Sequence, residues 1–538
     1  MNTTYETDVI IIGCGLAGLV TALELIDQKK RVIILERDEP QNAGGLAKVS
    51  FGGILMVNTP LQKRGRIHDH IDLALADWFR VAQFQNQDVW PKKWAEAYVH
   101  LSCEYMYHWL VNRSVQFLPV VNWPERGLFQ AHNSVPRWHI VWGTGHRLIE
   151  LILKQISQHP NRSYLSIHYG HKVTQFTVTN GIVNGCCGVL EKNTAISFSA
   201  TAGVVVVASG GYCGGDLTKV KTNWYKDWGN PPDNLLNGSH RFADGLLHDQ
   251  VMDIGGNLTH MDKQWHYAAG IHHPKPEFVN QGLSLVPPRS ALWVNALGER
   301  IGPVPLVAYT DTRYLVEQIC KQPGKYSWQV MNWKIAIREL AVSGCDYMTA
   351  FRYRKPFRML WELLFGNREL VSRLMKESKD IIIAHDVDTL VSRMNQGEPE
   401  LKVDSIVLKK EIKDYDDRIK RGSAYMNDYQ LLRIADFRKY RGDRLRVCSF
   451  QPIDDPKARP LIAIRECILS RKSLGGIQTD LSCRVLDRKG KVISGLFAVG
   501  EAAGFGGGGI HGVGSLEGTF LGSCILTGRL AAKAISKG

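Results

Sequence analysis

A glycine-rich turn near the N-terminus constrains the fold of this chain more than any other feature. Four consecutive apolar, β-branched residues at Val9–Ile12 lead directly into the segment Gly13-Cys-Gly15-Leu-Ala-Gly18. Apolar residues then recur at helical spacing, and a second apolar run occupies Val32–Leu35. Continuous apolar runs of this length are typical of strands that are buried on both faces of a parallel sheet. The segment therefore predicts a strand, a tight turn, a helix and a second parallel strand.

Each glycine of this turn has its own predicted role. Gly13 allows the tight turn, Gly15 lets the backbone approach a pyrophosphate, and Gly18 lets the helix pack on the strand. Glu36 follows the second strand, 18 positions after Gly18, and is placed to accept hydrogen bonds from a ribose. An acidic residue there also argues against a 2′-phosphate. We therefore predict a dinucleotide site. Its predicted contacts in this segment are Gly13, Gly15, Leu16, Ala17, Gly18, Glu36 and Arg37.

A second glycine-rich segment indicates which dinucleotide is bound. The residues NAGGLAKVSFGG, 42–53, follow Glu36 closely, which suits a long cofactor that continues past its pyrophosphate. An enzyme that also held NAD(P)H would carry a second GxGxxG turn between a strand and a helix, and the chain has none. We therefore predict FAD as the one bound dinucleotide. The predicted contacts here are Gly44, Gly45, Leu46, Ser50, Gly52 and Gly53.

The totals exclude several classes of protein. With 538 residues the chain is too long for one ordinary core, and no apolar run is long enough to span a bilayer. No charged segment followed by an apolar stretch of signal type precedes the first strand, so we expect a cytoplasmic protein. The 11 cysteines show no CxxC spacing, which fits a reducing compartment and predicts no metal site. Lys and Arg are scattered despite a net charge of +14, and we predict no nucleic-acid partner.

One basic stretch leaves an alternative open. Residues 351–379, FRYRKPFRMLWELLFGNRELVSRLMKESK, combine cations with Trp361, Leu363, Leu364 and Phe365. This mixture could lie on a membrane surface. It could also be a solvated basic helix whose apolar positions face a core. We favour the solvated helix here.

Four separated motifs together resemble one enzyme family. They are the GCGLAG turn with Glu36, the segment GGLAKVSFGGI at 44–54, the pair AGVVVVASGGY at 202–212 and ADGLLHDQVMDIGG at 243–256, and GGIQTDLSCRVLDRKGKVISGLFAVGEAAG at 475–504. In these motifs the chain resembles the flavoprotein subunits of fumarate reductase and succinate dehydrogenase and the related ketosteroid dehydrogenases. Its nearest resemblance is to bacterial FAD-binding dehydrogenases close to the ketosteroid enzymes.

The resemblance implies an α/β fold with a bipartite layout. A Rossmann-like FAD-binding domain would be assembled from both ends of the chain, residues 1–286 and 451–538. An inserted α+β capping domain, residues 287–450, would bind the substrate. From about residue 287 the alternation of strand and helix patterns weakens, which agrees with this division. It resumes in VISGLFAVG at 492–500.

The resemblance also extends the predicted FAD site. The added contacts are Val173, Ala208, Ser209, Gly210, Asp244, Gly500, Glu501, Ser515 and Leu516. The glycines at 506–509 would let the backbone pass flat against the flavin, where any Cβ would collide. Ser515 and Leu516 would open the final helix, whose positive end would stabilise charge on the reduced flavin. Because the 44–53 loop contains no histidine, we expect the FAD to be held non-covalently.

The family's reaction implies a set of catalytic residues. It moves a hydride between the flavin and one carbon, and a proton on or off the adjacent carbon. Arg313 best matches the family's proton-transfer arginine, although an ion pair with Asp311 or Glu317 is an equal alternative. His273, followed by proline, resembles the family's HP motif, and Tyr267 is a candidate to polarise a ketone. His511 would contact substrate or cap the turn.

Two departures from the family bear on the substrate. Ser515 stands where the dicarboxylate enzymes carry an arginine, and Lys472 stands where they carry a histidine. Because a carboxylate is best held by arginine, fumarate and succinate become poor candidates. We expect a small-molecule substrate that is largely apolar and ketosteroid-like, with an unidentified electron acceptor or donor. A reductase of a small unsaturated carboxylic acid and a flavin-binding electron-transfer protein stay open as alternatives.

Overall fold

The computed structural model describes residues 3–397 and 400–537. The chain divides into two compact units. Unit 1 comprises Met1–Tyr225, Ser239–Trp265 and Arg471–Gly538, and unit 2 comprises Lys226–Gly238 and His266–Ser470. The predicted capping range, 287–450, falls inside unit 2. Unit 2 extends beyond that range on both sides.

The strands and helices of the described residues are as follows. The strands are β1 Thr3–Glu6, β2 Val9–Ile12, β3 Val32–Leu35, β4 Gly53–Leu55, β5 Trp138–Ile140, β6 Leu165–His168, β7 His171–Thr179, β8 Ile182–Leu190, β9 Asn193–Thr201, β10 Val204–Val207, β11 Leu236–Asn237, β12 Leu258–Thr259, β13 Gln264–His272, β14 Gly282–Val286, β15 Leu292–Val294, β16 Tyr326–Asn332, β17 Ala341–Val342, β18 Ile381–Ala384, β19 Leu461–Ser473, β20 Gly476–Ile477, β21 Arg484–Leu486 and β22 Val492–Ala498. The helices are α1 Leu16–Asp27, α2 Gly45–Val49, α3 Pro60–Arg64, α4 Ile71–Ala82, α5 Val89–Leu101, α6 Trp109–Asn112, α7 Thr144–Ser157, α8 Thr218–Thr222, α9 Leu246–Asp253, α10 Thr312–Cys320, α11 Trp333–Glu339, α12 Thr349–Arg352, α13 Pro356–Phe365, α14 Arg368–Glu377, α15 Val387–Met394, α16 Ser405–Lys420, α17 Tyr429–Lys439, α18 Arg441–Arg444 and α19 Thr519–Lys537. A π-helical segment, Ser102–His108, joins α5 to α6.

The predicted strand, turn, helix and strand at the N-terminus are confirmed. They are β2, α1 and β3, and all residues of both strands are buried. β2 pairs in parallel with β3 on one side and with β10 on the other, Val9 lying opposite Val32 and Val204. The continuous apolar runs therefore occupy the middle of a six-stranded sheet of order β21-β22-β10-β2-β3-β6.

The C-terminal segment completes this sheet. β22 pairs in parallel with β10, placing Leu496 opposite Val205. The last helix, α19, lies against α1, and a Cβ at Gly528 would come within 2.8 Å of the Ala17 carbonyl oxygen. Both ends of the chain therefore build the same sheet and its covering helices.

A second sheet of unit 1, of order β1-β9-β8-β7, covers one face of the first. Ile10 and Val205 from the parallel sheet share a buried core with Phe176 and Phe198 from β7 and β9. Unit 2 is built on a mixed sheet with the order β15-β16-β19-β13-β14-β17, in which β16 and β18 pair antiparallel with β19. No helix among the described residues has the length and apolarity needed to cross a bilayer.

Candidate active site

The first glycine-rich turn presents free backbone donors at the start of α1. Gly15 is the residue before the helix and has extended backbone angles, φ −73° and ψ 178°, with no side chain capping the helix. The first N–H groups of a helix have no partner within it, and they carry the positive end of the helix dipole. This arrangement suits a pyrophosphate.

The three glycines of the turn differ in what requires them. A Cβ at Gly13 would lie 2.4 Å from the Ala208 carbonyl oxygen, and one at Gly18 would lie 2.1 Å from the Gly13 carbonyl oxygen. Protein packing therefore accounts for both. A Cβ at Gly15 would meet no atom of the described residues within 4 Å, and its φ is ordinary for any residue. Since no described residue requires glycine there, the close approach of a ligand explains it best, and the residues fit a dinucleotide.

The second predicted glycine loop lies beside the first. The Gly44 N–H donates to the Cys14 carbonyl oxygen at 2.8 Å, and Gly44 forms a parallel bridge with Gly15. Gly44 and Gly45 both have positive φ, +101° and +53°. Leu46 follows in α2. The structure thus brings together two segments that the sequence predicted separately.

Other residues of this loop are explained by protein contacts. A Cβ at Gly52 would lie 2.5 Å from the Gly145 nitrogen, and one at Gly53 would lie 1.9 Å from the Trp138 ring. The Ser50 hydroxyl donates to the Ala47 carbonyl oxygen at 2.7 Å. The predicted contacts of Ser50, Gly52 and Gly53 with the cofactor stay predictions.

Glu36 lies at the end of β3, where its carboxylate reaches the first glycine turn. It accepts hydrogen bonds from the backbone N–H groups of Cys14, at 2.5 Å, and Asp38, at 2.7 Å. Two backbone donors fix the orientation of the carboxylate, and each oxygen keeps a further lone pair. Ribose hydroxyls can use those lone pairs, so the geometry is compatible with the predicted role.

Arg37 and Asp244 are predicted cofactor residues that bind each other. An Arg37 guanidinium nitrogen donates to Asp244 at 2.7 Å and another donates to Glu191 at 2.8 Å. The guanidinium carbon lies 4.2 Å from the centroid of the Phe242 ring. These contacts connect the end of β3 to the segments that carry Asp244 and Glu191.

Four further predicted contacts lie in or directly after strands of unit 1. The Ala208 N–H donates to the Ile12 carbonyl oxygen at 2.8 Å, so Ala208 and Ser209 leave β10 beside the glycine turn. Gly210 has a φ of +79°, and no described atom would meet a Cβ there within 4 Å. Val173 lies in β7 and its side chain is in the core, so a cofactor could reach only its backbone.

Glu501 follows β22 in a short 3-10 helix. It accepts hydrogen bonds from the Ser473 backbone N–H at 2.9 Å and from the Ser473 hydroxyl at 3.2 Å. Burial raises the pKa of Glu501, an effect that these hydrogen bonds and Lys472 oppose. Gly500 has a φ of +62°, and its N–H donates to the Thr527 hydroxyl at 2.9 Å.

The glycine run at 506–509 has a different explanation from the predicted one. All four residues have positive φ. Cβ atoms at Gly506 and Gly507 would collide with Trp94, and those at Gly508 and Gly509 with Thr259 and His260. Protein packing and backbone conformation therefore require these glycines, and contact with a flavin is not needed to account for them.

The prediction that Ser515 and Leu516 open the final helix is wrong. The helix begins at Thr519. Gly518, directly before it, has a φ of +97°, which an α-helix cannot include, and a Cβ there would lie 2.4 Å from the Trp138 ring and 2.7 Å from the Leu55 nitrogen. Ser515 and Leu516 therefore lie in the preceding loop.

That loop holds a buried polar cluster around His511. The Thr519 hydroxyl donates its proton to the Leu516 carbonyl oxygen at 2.8 Å. The lone pairs of the Thr519 oxygen are then free to accept from His511 Nε2, which lies 2.8 Å away. The Ser515 hydroxyl lies 2.9 Å from the same oxygen. This assigns the His511 proton to Nε2. Nδ1 is then a buried acceptor with no hydrogen-bond partner among the described residues. Burial lowers the pKa of His511 to about 3, so the ring is neutral near pH 7.

Aromatic rings and one lysine surround this cluster. The Trp78 ring stacks on His511 with 5.9 Å between centroids, and the Phe505 and Phe520 rings lie 5.4 and 5.0 Å away. The Lys472 ammonium lies 3.7 Å from the centroid of Phe520. The dense protein around it lowers the pKa of Lys472 to about 8, although Glu517 opposes the shift. Sequence reasoning missed Trp78, which lies far from His511 along the chain, and also Thr519.

In unit 2, Tyr267 and Arg313 each contact an aromatic ring. Tyr267 is buried in β13 and its ring lies 5.3 Å from that of Tyr309. The Arg313 guanidinium lies 5.3 Å from the centroid of Trp228. Of the two carboxylates that are its predicted alternative partners, Asp311 accepts from the Tyr314 N–H at 3.0 Å and Glu317 pairs with Lys321 at 2.6 Å. These two contacts cap and brace α10.

The three histidines of β13 and the following turn have separate surroundings. His273 Nδ1 accepts from the Lys275 N–H at 3.1 Å, and its ring lies 6.3 Å from that of Tyr347. His272 Nδ1 lies 3.0 Å from Asp380. His266 is buried, and burial lowers its pKa to about 3. Among the described residues, no group of three or more His, Cys, Asp or Glu side chains that could hold a metal ion is found.

Comparison with known proteins connects this geometry to a family. Residues 8–521 match the family model of the FAD binding domain. The chain is 38% identical over 548 residues to a KsdD-like steroid dehydrogenase of Mycobacterium tuberculosis, covering 98% of this chain and 96% of that protein. This similarity runs through both units.

Solved structures with lower identity share the fold. The 3-ketosteroid Δ1-dehydrogenase of Sterolibacterium denitrificans superposes with a TM-score of 0.70 at 16% identity, covering 99% of both chains. A flavocytochrome c3 fumarate reductase superposes with a TM-score of 0.69 at 19% identity, covering 99% of this chain and 78% of that one. The chain therefore belongs to the FAD binding domain family, as an FAD-dependent oxidoreductase related to the ketosteroid dehydrogenases.

Proposed function

We propose that this protein transfers a hydride between FAD and an activated C–C or C=C bond of a largely apolar, ketosteroid-like substrate. The observation that carries the proposal is the neutral and largely aromatic surroundings of Ser515. Ser515 stands where the dicarboxylate enzymes carry an arginine, and its hydroxyl lies within a neutral cluster with Thr519 and His511. The surrounding rings of Trp78, Phe505 and Phe520 suit an apolar substrate better than a dicarboxylate.

Bound FAD supplies the two-electron chemistry by accepting or donating the hydride. The N–H groups at the start of α1 and the Glu36 carboxylate hold the pyrophosphate and the ribose. The loop around Gly44 and Gly45 lies against the first turn and continues the site. The absence of a histidine from residues 44–53 supports non-covalent binding.

The proposal assigns activation of the substrate carbonyl to Tyr267 and transfer of the proton to Arg313, both of which belong to unit 2. Tyr267 donates a hydrogen bond to the substrate carbonyl oxygen, which makes a proton on the adjacent carbon easier to remove. Arg313, whose guanidinium lies beside the Trp228 ring, donates the proton to that carbon in the reductive direction and receives it in the oxidative direction. This scheme assigns no step to His273, whose ring lies beside that of Tyr347.

One observation favours a second candidate function. Lys472, at the position of a carboxylate-binding histidine, places a cation beside Phe520. A single ammonium could hold one carboxylate, so reduction of a small unsaturated monocarboxylic acid is the alternative. The electron partner is unassigned in both schemes.

The test uses purified protein that carries FAD. We expect a yellow protein that releases FAD on denaturation, and a flavin band that bleaches anaerobically when a saturated 3-ketosteroid is added. The same enzyme reduced chemically should be reoxidised by an unsaturated ketosteroid faster than by fumarate or crotonate. Reoxidation by the acids alone would support the alternative, and a colourless protein that cannot be reconstituted with FAD would end both schemes.

A further inference from the structure

Helix α13 of unit 2 turns an apolar stripe towards solvent. None of its ten residues is buried. Phe357 is 88% and Trp361 63% exposed, and Leu360, Leu364 and Phe365 are also exposed. These five residues follow the spacing i, i+3, i+4, i+7 and i+8, which puts them on one face of the helix. We call them the α13 stripe. An exposed apolar stripe of this kind marks an interaction surface.

The stripe is exposed although its helix is held firmly. The Arg338 guanidinium of α11 donates to the carbonyl oxygens of Leu363 and Leu364 at 3.1 and 2.9 Å. The Asn367 N–H donates to the Ile337 carbonyl oxygen at 2.7 Å. These bonds tie the C-terminal end of α13 to α11, so the fold itself presents the α13 stripe outwards.

The unpaired charges around the stripe are positive. Arg354 and Lys355 directly precede α13 and Arg368 follows it, and none of the three forms an ion pair within the described part of the chain. The two nearest carboxylates, Glu362 and Glu369, are both paired with Arg358, at 2.9 and 2.5 Å. The unpaired charge at both ends of the stripe is therefore positive.

We propose that the α13 stripe and its flanking cations dock unit 2 onto an anionic lipid bilayer surface. A ten-residue helix is about 15 Å long, about half the thickness of the hydrocarbon core, so it lies in the plane of the interface. Aromatic side chains such as Trp361 and Phe357 prefer that interface, while Arg354, Lys355 and Arg368 reach the phosphates. Pairing with a second copy through the same face would bring these cations against their equivalents, which disfavours a dimer.

The experiment measures co-sedimentation of the full-length, FAD-loaded protein with vesicles. One set is phosphatidylcholine alone and the other an equimolar mixture of phosphatidylcholine and phosphatidylglycerol. The stripe variant is Phe357→Ser with Trp361→Ser, and the charge variant is Arg354→Glu with Lys355→Glu. The matched control is Val279→Ser with Ile406→Ser, two residues of unit 2 that are 84% and 79% exposed but lie outside the stripe.

We expect the parent and the control to bind the anionic vesicles at least tenfold more tightly than the neutral ones, and both other variants to lose roughly tenfold or more in binding. Raising the salt towards 1 M, where the screening length is about 3 Å, should release the parent. Equal binding to neutral vesicles, or no binding at all, would overturn the proposal. So would self-association without vesicles that the stripe variant abolishes, since that assigns the face to a second copy. Unchanged melting temperature and FAD content will show that each variant is folded.

Discussion

The Lys472 ammonium lies 3.7 Å from the centroid of the Phe520 ring, and the same ring lies 5.0 Å from that of neutral His511. Lys472 therefore places a cation among side chains that are otherwise aromatic rings, hydroxyls and a neutral imidazole. An ammonium over an aromatic face is stabilised by the ring, but dense protein around it favours the neutral form. The balance lowers the pKa of Lys472 to about 8.

This pKa predicts that the binding of the two candidate substrates depends differently on pH. Because the ammonium loses its charge as the pH rises through about 8, a carboxylate ligand that it holds should bind more weakly above that pH. Lys472→Met should weaken such binding roughly ten- to hundredfold and remove the pH dependence, as expected for a lost charge-assisted hydrogen bond. Binding of a neutral ketosteroid should change only a few-fold. Flavin absorbance titrations from pH 6 to 9.5 (~one step per half unit) measure both.

The control for this titration is Lys489→Met, at an exposed turn between β21 and β22. It changes the net charge equally and should leave both ligands unaffected. If Lys472→Met and the parent bind carboxylates with the same pH profile, Lys472 does not reach the ligand.

Gly15 and Gly18 form a matched pair for testing the cofactor site. Gly15→Ala should leave the apoprotein as stable as the parent or slightly more stable, because its φ is ordinary and the added methyl group meets nothing within 4 Å. Its FAD affinity should fall at least ~tenfold, because the methyl group would separate the backbone from the pyrophosphate. Gly18→Ala should instead destabilise the apoprotein by about 1–3 kcal/mol, because the methyl group would overlap the Gly13 carbonyl.

Thermal unfolding of the apoproteins and fluorescence titration with FAD distinguish the two effects. A Gly15→Ala protein that binds FAD as tightly as the parent would remove the pyrophosphate from this turn. A Gly18→Ala protein of parental stability would contradict the packing between α1 and β2.

The N-terminal part of the site was predictable because its signals are local. Val9–Ile12, the glycine turn and Glu36 lie within one strand-helix-strand segment, and each spacing follows from backbone geometry. The second glycine loop was predicted from its own sequence, but its bridge from Gly44 to Gly15 was seen only in the structure. Each of these sequence signals lies within one short, continuous stretch of the chain.

The C-terminal part was less predictable because its causes are distant in sequence. Gly506 and Gly507 are glycines because Trp94 lies against them, and Trp94 is more than 400 positions away. α19 begins directly after Gly518, where the positive φ and the nearby Trp138 ring leave no room for a Cβ. Residue propensities and the spacing of residues along the sequence do not reveal such long-range contacts. The same holds for the stacking of Trp78 on His511.

Tyr267 and Tyr309 allow a direct test of the proposed chemistry. Their rings are in contact at 5.3 Å, but the Tyr309 hydroxyl donates to the Leu285 carbonyl oxygen at 2.8 Å. Tyr267→Phe should lower kcat roughly 10²–10⁴-fold, as loss of a proton-handling hydroxyl does, without changing FAD content. Tyr309→Phe should lower stability by about 1 kcal/mol and leave kcat within a few-fold.

Anaerobic flavin reduction by a 3-ketosteroid, followed by stopped flow, measures the chemical step in both variants. Equal losses in the two would mean that the pair has a structural role. Arg313→Lys and Arg313→Ala belong in the same series, because only a residue that donates to the substrate should be partly rescued by the lysine.

Four buried histidines predict that the fold is sensitive to acid. Burial lowers the pKa of His139 and His248 to about 4, and that of His266 and His511 to about 3, from an ordinary value of 6.5. Below pH 6.5 the unfolded chain binds protons that the folded protein refuses, so the free energy of unfolding should fall as the pH drops towards 4. Each histidine contributes up to about 1.4 kcal/mol per pH unit in that window.

Urea unfolding at pH 7.5, 6, 5 and 4.5 (~four points across the window) measures this slope. His266→Phe, at a site beside the Trp228 ring, should reduce the change in the free energy of unfolding with pH. The substitution removes a side chain that binds a proton only in the unfolded chain. His68→Phe, at an exposed position, is the control and should leave the slope unchanged. A slope that is the same in His266→Phe and the parent would show that His266 accepts a proton in the folded protein and is not held neutral by burial.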